Sequence, residues 1–316
     1  MSAKVRFVTV EEEDAGQRVD NFLMRHLRKA PKTLIYRIIR KGEVRVNKGR
    51  VKASTRINPG DIVRIPPVTV PDKVEVLEGD VPHAQLQRIE ENILFEDNDL
   101  MVINKPSGIA VHGGTGINWG LIEMVRILRP LARRIELVHR IDRDTSGCIL
   151  IAKKPSVLKA LQQQIREHHW DKRYLAIVSG RWPKNKQKIN LPLRKDHPKE
   201  GGWHVVVAKD GKEAVSYFNV QQHLKECDLV SVKLKTGRTH QIRVHALSQG
   251  CALIGDDKYG DRDVNKQYRP LGMKRLALHA QFLGFTHPVT EQWMLIEAPL
   301  WPDFQKIIKT LTLETK

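Results

Sequence analysis

The chain has 316 residues and a mass of 36.2 kDa, enough for two domains and at least one well-buried core, which excludes a peptide or a lone mini-module. With 41% hydrophobic and 28% charged residues it has the composition of a soluble globular protein, so global disorder and fibrous architectures drop out. Lys and Arg number 54 against 36 Asp and Glu, and the resulting formal charge of +18 points to a polyanionic partner without saying anything about fold.

Glu11 to Asp14 are acidic where a secretory signal would need an apolar run, and runs such as Cys148 to Ala152 are too short to span a bilayer. Neither secretion nor a membrane is expected. The cysteines Cys148, Cys227 and Cys251 are odd in number and widely spaced, which reads as reduced thiols in a cytoplasmic chain.

The charge is concentrated. Residues 18–64 hold 14 Lys and Arg against three acids. Within them Val19, Phe22, Leu23 and Leu27 have helical spacing and predict a first helix. Thr33 is placed to cap a second helix, in which Leu34, Ile35, Ile38 and Ile39 form an apolar stripe. Arg37, Arg40 and Lys41 project from its other side, and Gly42 ends it. Short strands around Val44 and Val46 and at Ile62 to Ile65 follow, separated by the turns at Asn47-Lys48-Gly49 and Asn58 to Asp61.

The run Arg18-Val-Asp-Asn-Phe-Leu, then Leu34-Ile35 through Arg40-Lys41-Gly42 to Asn47, then Gly60-Asp61, resembles the S4 RNA-binding domain. The resemblance implies structured RNA held by a basic face that includes Lys32, Arg37, Arg40, Lys41 and Arg45, with phosphate contacts supplying affinity and little reading of bases. Residues 1–75 are expected to form this domain, with its core at 18–65. The Pro-rich, acid-containing stretch that follows, 76–90, reads as a linker, and 91–316 as a second domain.

In the second domain strands are predicted at 93–95, 100–103, 148–152, 174–178, 203–208, 229–235 and 276–285. Helices are predicted near 117–128, 156–168, 240–248 and 303–312. Strands often follow one another without a helix between them, so the expected class is α+β with a mixed, largely antiparallel sheet rather than a doubly wound parallel one.

Several familiar motifs fail on inspection. Gly255-Asp-Asp-Lys-Tyr-Gly260 has two glycines of a phosphate loop, but Asp261-Arg262 stand where Lys-Ser/Thr is required. His112-Gly-Gly-Thr-Gly116 lacks the third glycine of a dinucleotide fingerprint and reads as a flexible loop. His240 and His245, five apart, do not share a helix face for a metal, and Ser146 lacks the glycine two residues before it that a nucleophile elbow needs. No catalytic metal is expected. What remains is Leu137 to Gly147, in which Asp142 and Asp144 stand among Arg140 and Arg143 ahead of the apolar run at Cys148. A carboxylate beside an RNA site repels phosphate and so calls for a function, but spacing alone does not choose between the two aspartates.

His139-Arg140-Ile141-Asp142 followed by Thr145-Ser146-Gly147 resembles the signature of the RluA-type pseudouridine synthases. Lys105 to Gly108, Lys172 to Gly180, Gly237 to His245, Leu278-His279-Ala280 and His287-Pro288 agree with it in order and spacing. The resemblance covers most of residues 90–300, and the likeness is to the branch acting on large-subunit ribosomal RNA.

It implies an isomerase of the pseudouridine synthase fold acting on 23S ribosomal RNA or the assembling large subunit; such a rearrangement takes nothing from outside, so no cofactor is expected, and with no oligomerisation signal a monomer is the default expectation. Asp142 would be the catalytic carboxylate, Arg243 its paired cation and Tyr174 the ring stacked on the target uracil. Arg140 would fill the gap left in the RNA stack when the uridine is flipped out. The rival class is a non-catalytic RNA-binding assembly factor that keeps the synthase-like domain as a platform.

Overall fold

A computed structural model of the chain describes residues 5–27, 30–68, 80–113, 119–132, 134–197 and 202–312. They fall into two compact units, Met1–Glu75 and Val76–Lys316. Among the described residues no helix is long and apolar enough to cross a membrane.

In the first unit β1 (Arg6–Thr9) precedes helices α1 (Val19–His26) and α2 (Lys32–Arg40), and β2 (Arg45–Val46), β3 (Gly49–Arg50) and β4 (Ile62–Ile65) follow. Helical spacing gathers Val19, Phe22 and Leu23 on one face of α1 and Leu34, Ile35, Ile38 and Ile39 on one face of α2. All are buried in a single apolar core with Ile57, Val63 and Ile65. The strands pair antiparallel in the order β1-β4-β2-β3.

Helix α2 starts one residue earlier than its predicted cap. Pro31, with φ −64°, is the N-cap, and Thr33 lies within the first turn. The N–H groups of Leu34 and Ile35 donate to the carbonyl of Pro31 at 2.9 and 3.2 Å, so the first turn closes ahead of Thr33 and no side chain caps it. The helix stops at Gly42 (φ +72°), where the N–H groups of Gly42 and Glu43 donate to the carbonyls of Ile39 and Ile38.

The second unit runs α3 (His83–Glu90), β5 (Ile93–Glu96), β6 (Leu100–Lys105), α4 (Leu121–Leu128), β7 (Glu136–Leu137), β8 (Ser146–Ala152), α5 (Pro155–Arg166), β9 (Asp171–Ser179) and β10 (Lys188–Asn190). Then come β11 (Leu193–Asp196), β12 (His204–Val207), β13 (Val215–His223), β14 (Cys227–Leu234), α6 (Gln241–Leu247), α7 (Arg262–Tyr268), β15 (Leu278–Thr286), β16 (Trp293–Glu297) and α8 (Pro302–Leu311). One large sheet has the order β10-β13-β14-β9-β15-β8-β6-β5, with β16 added on β15 and β7 on β8, while β11 and β12 form a separate hairpin. Its strands pair antiparallel except β15 with β8, which is the α+β, largely antiparallel arrangement expected.

Strands β6 and β8 are buried along their whole length because both faces of the sheet are covered. Met101, Ile103, Ile149 and Ile151 point into a core shared with α3 and α4, and Leu100, Val102, Cys148 and Leu150 into one shared with α5. The stretch 76–90 is therefore not linker throughout. Its second half is α3, whose Leu86 and Ile89 are buried in the first of these cores. With only two buried apolar positions, its periodicity is too thin to see in the sequence. The expected start of α4 at 117 and most of the loop at 112–116 lie outside the described residues.

The sequence reading also missed β13 and β16, although Val215 to Val220 and Trp293 to Ile296 are rich in apolar residues, and it missed α7, which has no apolar stripe. Helix α7 is set instead by Asp261, which accepts from the N–H groups of Asp263 and Val264, and by buried Asn265 and Tyr268.

At the parallel junction of β8 and β15, Gly147 has φ +108°, and a Cβ there would run into the carbonyl of Ala280. Gly147→Ala is expected to cost about 2 kcal/mol or more of stability, read as a drop in the denaturation midpoint, because strain and clash act together.

Candidate active site

The segment that follows His139 is held by backbone before any side-chain chemistry is considered. The N–H of Thr145 donates to the carbonyl of Asp142 at 3.2 Å, closing a turn, and β8 begins one residue later. The Lys105 to Gly108 loop grips this turn from below. Lys105, with no exposed surface, donates from Nζ to the carbonyls of Pro106 (2.9 Å), Ile109 (2.8 Å) and Arg143 (2.9 Å). Gly108 N–H donates to Arg143 O (2.9 Å) and Ser107 Oγ to Asp144 O (2.7 Å). Burial pulls the Lys105 pKa down to about 7, with Asp144 and Asp142 pulling the other way. His139 also has a structural place: its Nε2 accepts the N–H of Leu150 at 3.0 Å, and burial keeps the ring neutral, with its pKa lowered to about 3.

Arg243 comes from the opposite side, on α6. The start of that helix is pinned by Gln241, whose buried amide accepts from Thr236 Oγ1 and Arg238 N–H and donates to Val215 O and Ser216 Oγ. Arg243 is 7% exposed and reaches two carboxylates. Its Nε and Nη2 donate to Asp256 at 2.8 and 2.7 Å, a bidentate pair, and Nη1 donates to Asp142 Oδ2 at 3.3 Å. Burial opposes charge on both Arg243 and Asp256, but their mutual hydrogen bonds win, raising the arginine pKa and lowering that of the aspartate.

The geometry thus brings Asp142, and not Asp144, to Arg243. Asp144 is paired instead with Arg143 at 3.0 Å on a side chain 43% exposed. At an effective dielectric of about 20, a charge pair about 4 Å apart attracts with on the order of 4 kcal/mol before desolvation is charged against it.

Asp142 sits on the rim of two cavities. The first, about 500 Å³, is lined by His139, Arg140, Asp142, Tyr174, Leu234, Ile242, Arg243 and Leu278. Its volume and its mix of apolar floor and convergent polar groups suit a single planar base with its sugar. Tyr174, in the middle of β9, is nearly buried, and burial raises its pKa, so it faces the site as a neutral ring. The second, about 1210 Å³, shares Arg140, Asp142, His240 and Arg243 and adds Arg88, Arg143, Lys258, Lys274 and Arg275 together with Asp144, Asp256, Asp257 and Asp303, so it is a mixed-charge trough in which several arginines are already paired with aspartates.

Arg140 is exposed, lines both cavities and has no side-chain partner among the described residues. In the first unit Lys32, Arg37, Arg40, Lys41 and Arg45 are all exposed, and Arg45 donates to the carbonyl of Lys48 at 3.1 Å.

The sequence reading missed Asp256, Tyr259 and His240. The Gly255 to Gly260 stretch, set aside as a failed phosphate loop, supplies the carboxylate that Arg243 grips most tightly, and Tyr259 Oη lies 2.7 Å from His240 Nδ1. An acid two residues after Leu253-Ile254 was the available signal. His245 is committed elsewhere, bonding Ser216 Oγ and Leu191 O at 3.0 Å each.

Asp97, Asp99 and His287 bring donor atoms close together. However, His287 Nδ1 accepts two backbone N–H groups and its Nε2 donates to Asp97, whose other oxygen caps Asp99 and Leu100 N–H. His287 thus has no nitrogen left for a metal, and Asp99 Oδ1 is paired with Lys154 Nζ at 2.6 Å.

Comparison with known proteins agrees with this architecture. Residues 99–248 match the RNA pseudouridylate synthase family model and residues 17–63 the S4 domain model. The structure "Human RNA Pseudouridylate Synthase Domain Containing 4" has the same fold, with a TM-score of 0.58 over 72% of this chain and 95% of that one at 24% identity. The chain belongs to the RNA pseudouridylate synthase family, isomerases that turn uridine in RNA into pseudouridine, and carries an S4 domain ahead of the synthase domain. It is 47% identical to the "Ribosomal large subunit pseudouridine synthase C" of Pasteurella multocida (strain Pm70), over 97% of this chain and 94% of that protein. The protein of the same name from Yersinia pestis is 48% identical over 94% and 92%.

Removing one member of the buried pair should be felt in folding. Asp256→Ala leaves a buried guanidinium short of its main partner and is expected to cost about 3 to 5 kcal/mol in denaturant unfolding. Because the folded pKa of Asp256 is lowered, the stability it lends is present above its unfolded value near 3.8 and lost as pH falls below that. The deficit of the variant should therefore shrink in acid.

Proposed function

We propose that this protein isomerises uridines of large-subunit (23S) ribosomal RNA, free or in the assembling subunit, with Asp142 as the catalytic carboxylate. The observation that carries the reading is that Asp142 is the one acid among the described residues lining the 500 Å³ cavity and lies 3.3 Å from a buried guanidinium, in a chain of net charge +18. The substrate class rests on relatives 47 and 48% identical over nearly the whole chain that share one name.

The reaction breaks the bond from ribose C1′ to uracil N1, turns the base and joins C1′ to C5, whose proton is lost while N1 gains one. Atoms and electrons balance within the substrate, so no external group or reductant enters. Asp142, kept ionised beside Arg243, serves as nucleophile or as counter-charge to the positive ribose carbon. A base inside an RNA stack cannot reach the cavity. Flipping it out costs a few kcal/mol, offset by stacking on Tyr174, while Arg140 at the mouth takes the vacated place.

Asp142→Asn should abolish pseudouridine formation in a stoichiometric assay on large-subunit RNA while leaving its Kd within a few-fold. Turnover by this variant would remove Asp142 from the mechanism. Lys32, Arg37, Arg40, Lys41 and Arg45 form the RNA-holding face of the first unit in this reading. Changing all five to Ala should flatten the slope of log Kobs against log[salt] by about 0.7 to 0.9 for each RNA phosphate that the protein no longer neutralises. An unaltered slope would count against that face.

A further inference from the structure

Beyond Arg243, a second group is aimed at Asp142. His240 immediately precedes α6 with φ +53°, the left-handed region, which suits glycine and is uncommon for a side-chain-bearing residue. That backbone places its ring between Trp203, stacked on it at 5.0 Å between centroids and 18° between planes, and Asp142, whose Oδ2 lies 3.8 Å from Nε2.

The tautomer follows from the chain of donors. Val205 N–H donates to Tyr259 Oη at 2.9 Å, so the tyrosine proton is free to be donated to His240 Nδ1 at 2.7 Å. The imidazole then carries its own proton on Nε2, the atom facing Asp142. Burial, with Arg243 and Lys258 adding to it against Asp142, lowers the ring's pKa to about 4, so this is a neutral donor and not a second cation at working pH.

We propose that His240 is a positioning residue for the isomerisation: with Tyr259 setting its tautomer and Trp203 its tilt, its Nε2–H joins Arg243 in holding Oδ2 of Asp142, leaving Oδ1 for the substrate. Both donors converge on the same oxygen, and Oδ1 has no protein donor among the described residues. The 3.8 Å separation is wider than a formed hydrogen bond, and the contact closes when bound RNA excludes water from the rim. This role rests on Asp142 being the catalytic carboxylate. It also gives the β11–β12 hairpin a task, since Val205 lies in it and Trp203 immediately precedes β12.

The test is single-turnover kinetics of the full-length enzyme on large-subunit RNA across pH, with RNA binding and thermal unfolding measured on the same variants. His240→Ala is expected to slow the chemical step about tenfold or more with Kd within threefold. A donor to the ionised carboxylate lowers its pKa, so losing it should move the acid limb of the rate profile to higher pH. The other groups bearing on that limb are Arg243, Asp256, Lys258, Lys105 and Tyr174, all unchanged in these variants. His240→Gln, whose side-chain amide N–H can reach the place of Nε2–H, should recover part of the rate and bring the limb back. Tyr259→Phe, which removes the oxygen that faces Nδ1 and also leaves Val205 N–H unpaired, should shift the limb in the same direction as His240→Ala whatever it costs in stability.

If His240→Ala and Tyr259→Phe lose only thermal stability, with rate and limb at wild-type values, the positioning role is wrong and the ring merely fills space. If the wild-type enzyme itself makes no pseudouridine in this RNA, the substrate reading has failed, and this role falls with it.

Discussion

Arg243 is the hinge of the whole site, because a guanidinium buried in a protein must find carboxylates, and the two it finds come from parts of the chain far apart in sequence. Asp256 takes two of its donors at 2.7 and 2.8 Å and compensates for burial, which leaves Nη1 oriented toward Asp142 at 3.3 Å. The division of labour is clear from the distances. Asp256 holds the cation, and the cation holds Asp142 more loosely, at an edge where solvent or substrate can still reach the acid. An arginine with a single carboxylate partner would have to choose between being well buried and leaving that partner accessible.

The rest of the domain keeps these two faces in register. On one side the Lys105 ammonium, with no exposed surface, ties three carbonyls from the 105–109 loop and the Asp142 turn into one knot. On the other, the Gln241 amide uses all four of its hydrogen bonds to fix the start of α6. Both devices are buried polar groups with every bond made, which is the condition under which such groups rigidify rather than destabilise. The strands beneath, β6, β8, β9 and β15, lie at the centre of a sheet covered on both faces, so the loops rise from the least deformable part of the molecule.

Much of this is legible in the residues. The helices of the first unit follow from apolar spacing at Val19 to Leu23 and Leu34 to Ile39, and the class of the second unit from strands that succeed one another without helices. Asp142, Tyr174 and Arg243 stand out through a family resemblance carried by short motifs. Spacing by itself leaves Asp142 and Asp144 equivalent. The helix at His83–Glu90 reads as linker because two buried residues, Leu86 and Ile89, do not make a visible stripe. The Gly255 to Gly260 stretch hides its role because its glycines suggest the wrong chemistry.

Local sequence determined what depends on neighbours along the chain: the amphipathic helices, the stop at Gly42, the turn before β8, and the surplus of positive charge that selects an RNA-like partner. Tertiary structure alone decided which aspartate meets Arg243, that Asp256 is that arginine's principal partner, and that Tyr259 orients His240. Those outcomes turn on pairings between residues 13 to 101 positions apart, through contacts of about 3 Å. No periodicity along the chain encodes distances of that kind; they are set by how β8, β14 and the loop after Ile254 are brought together around a common core.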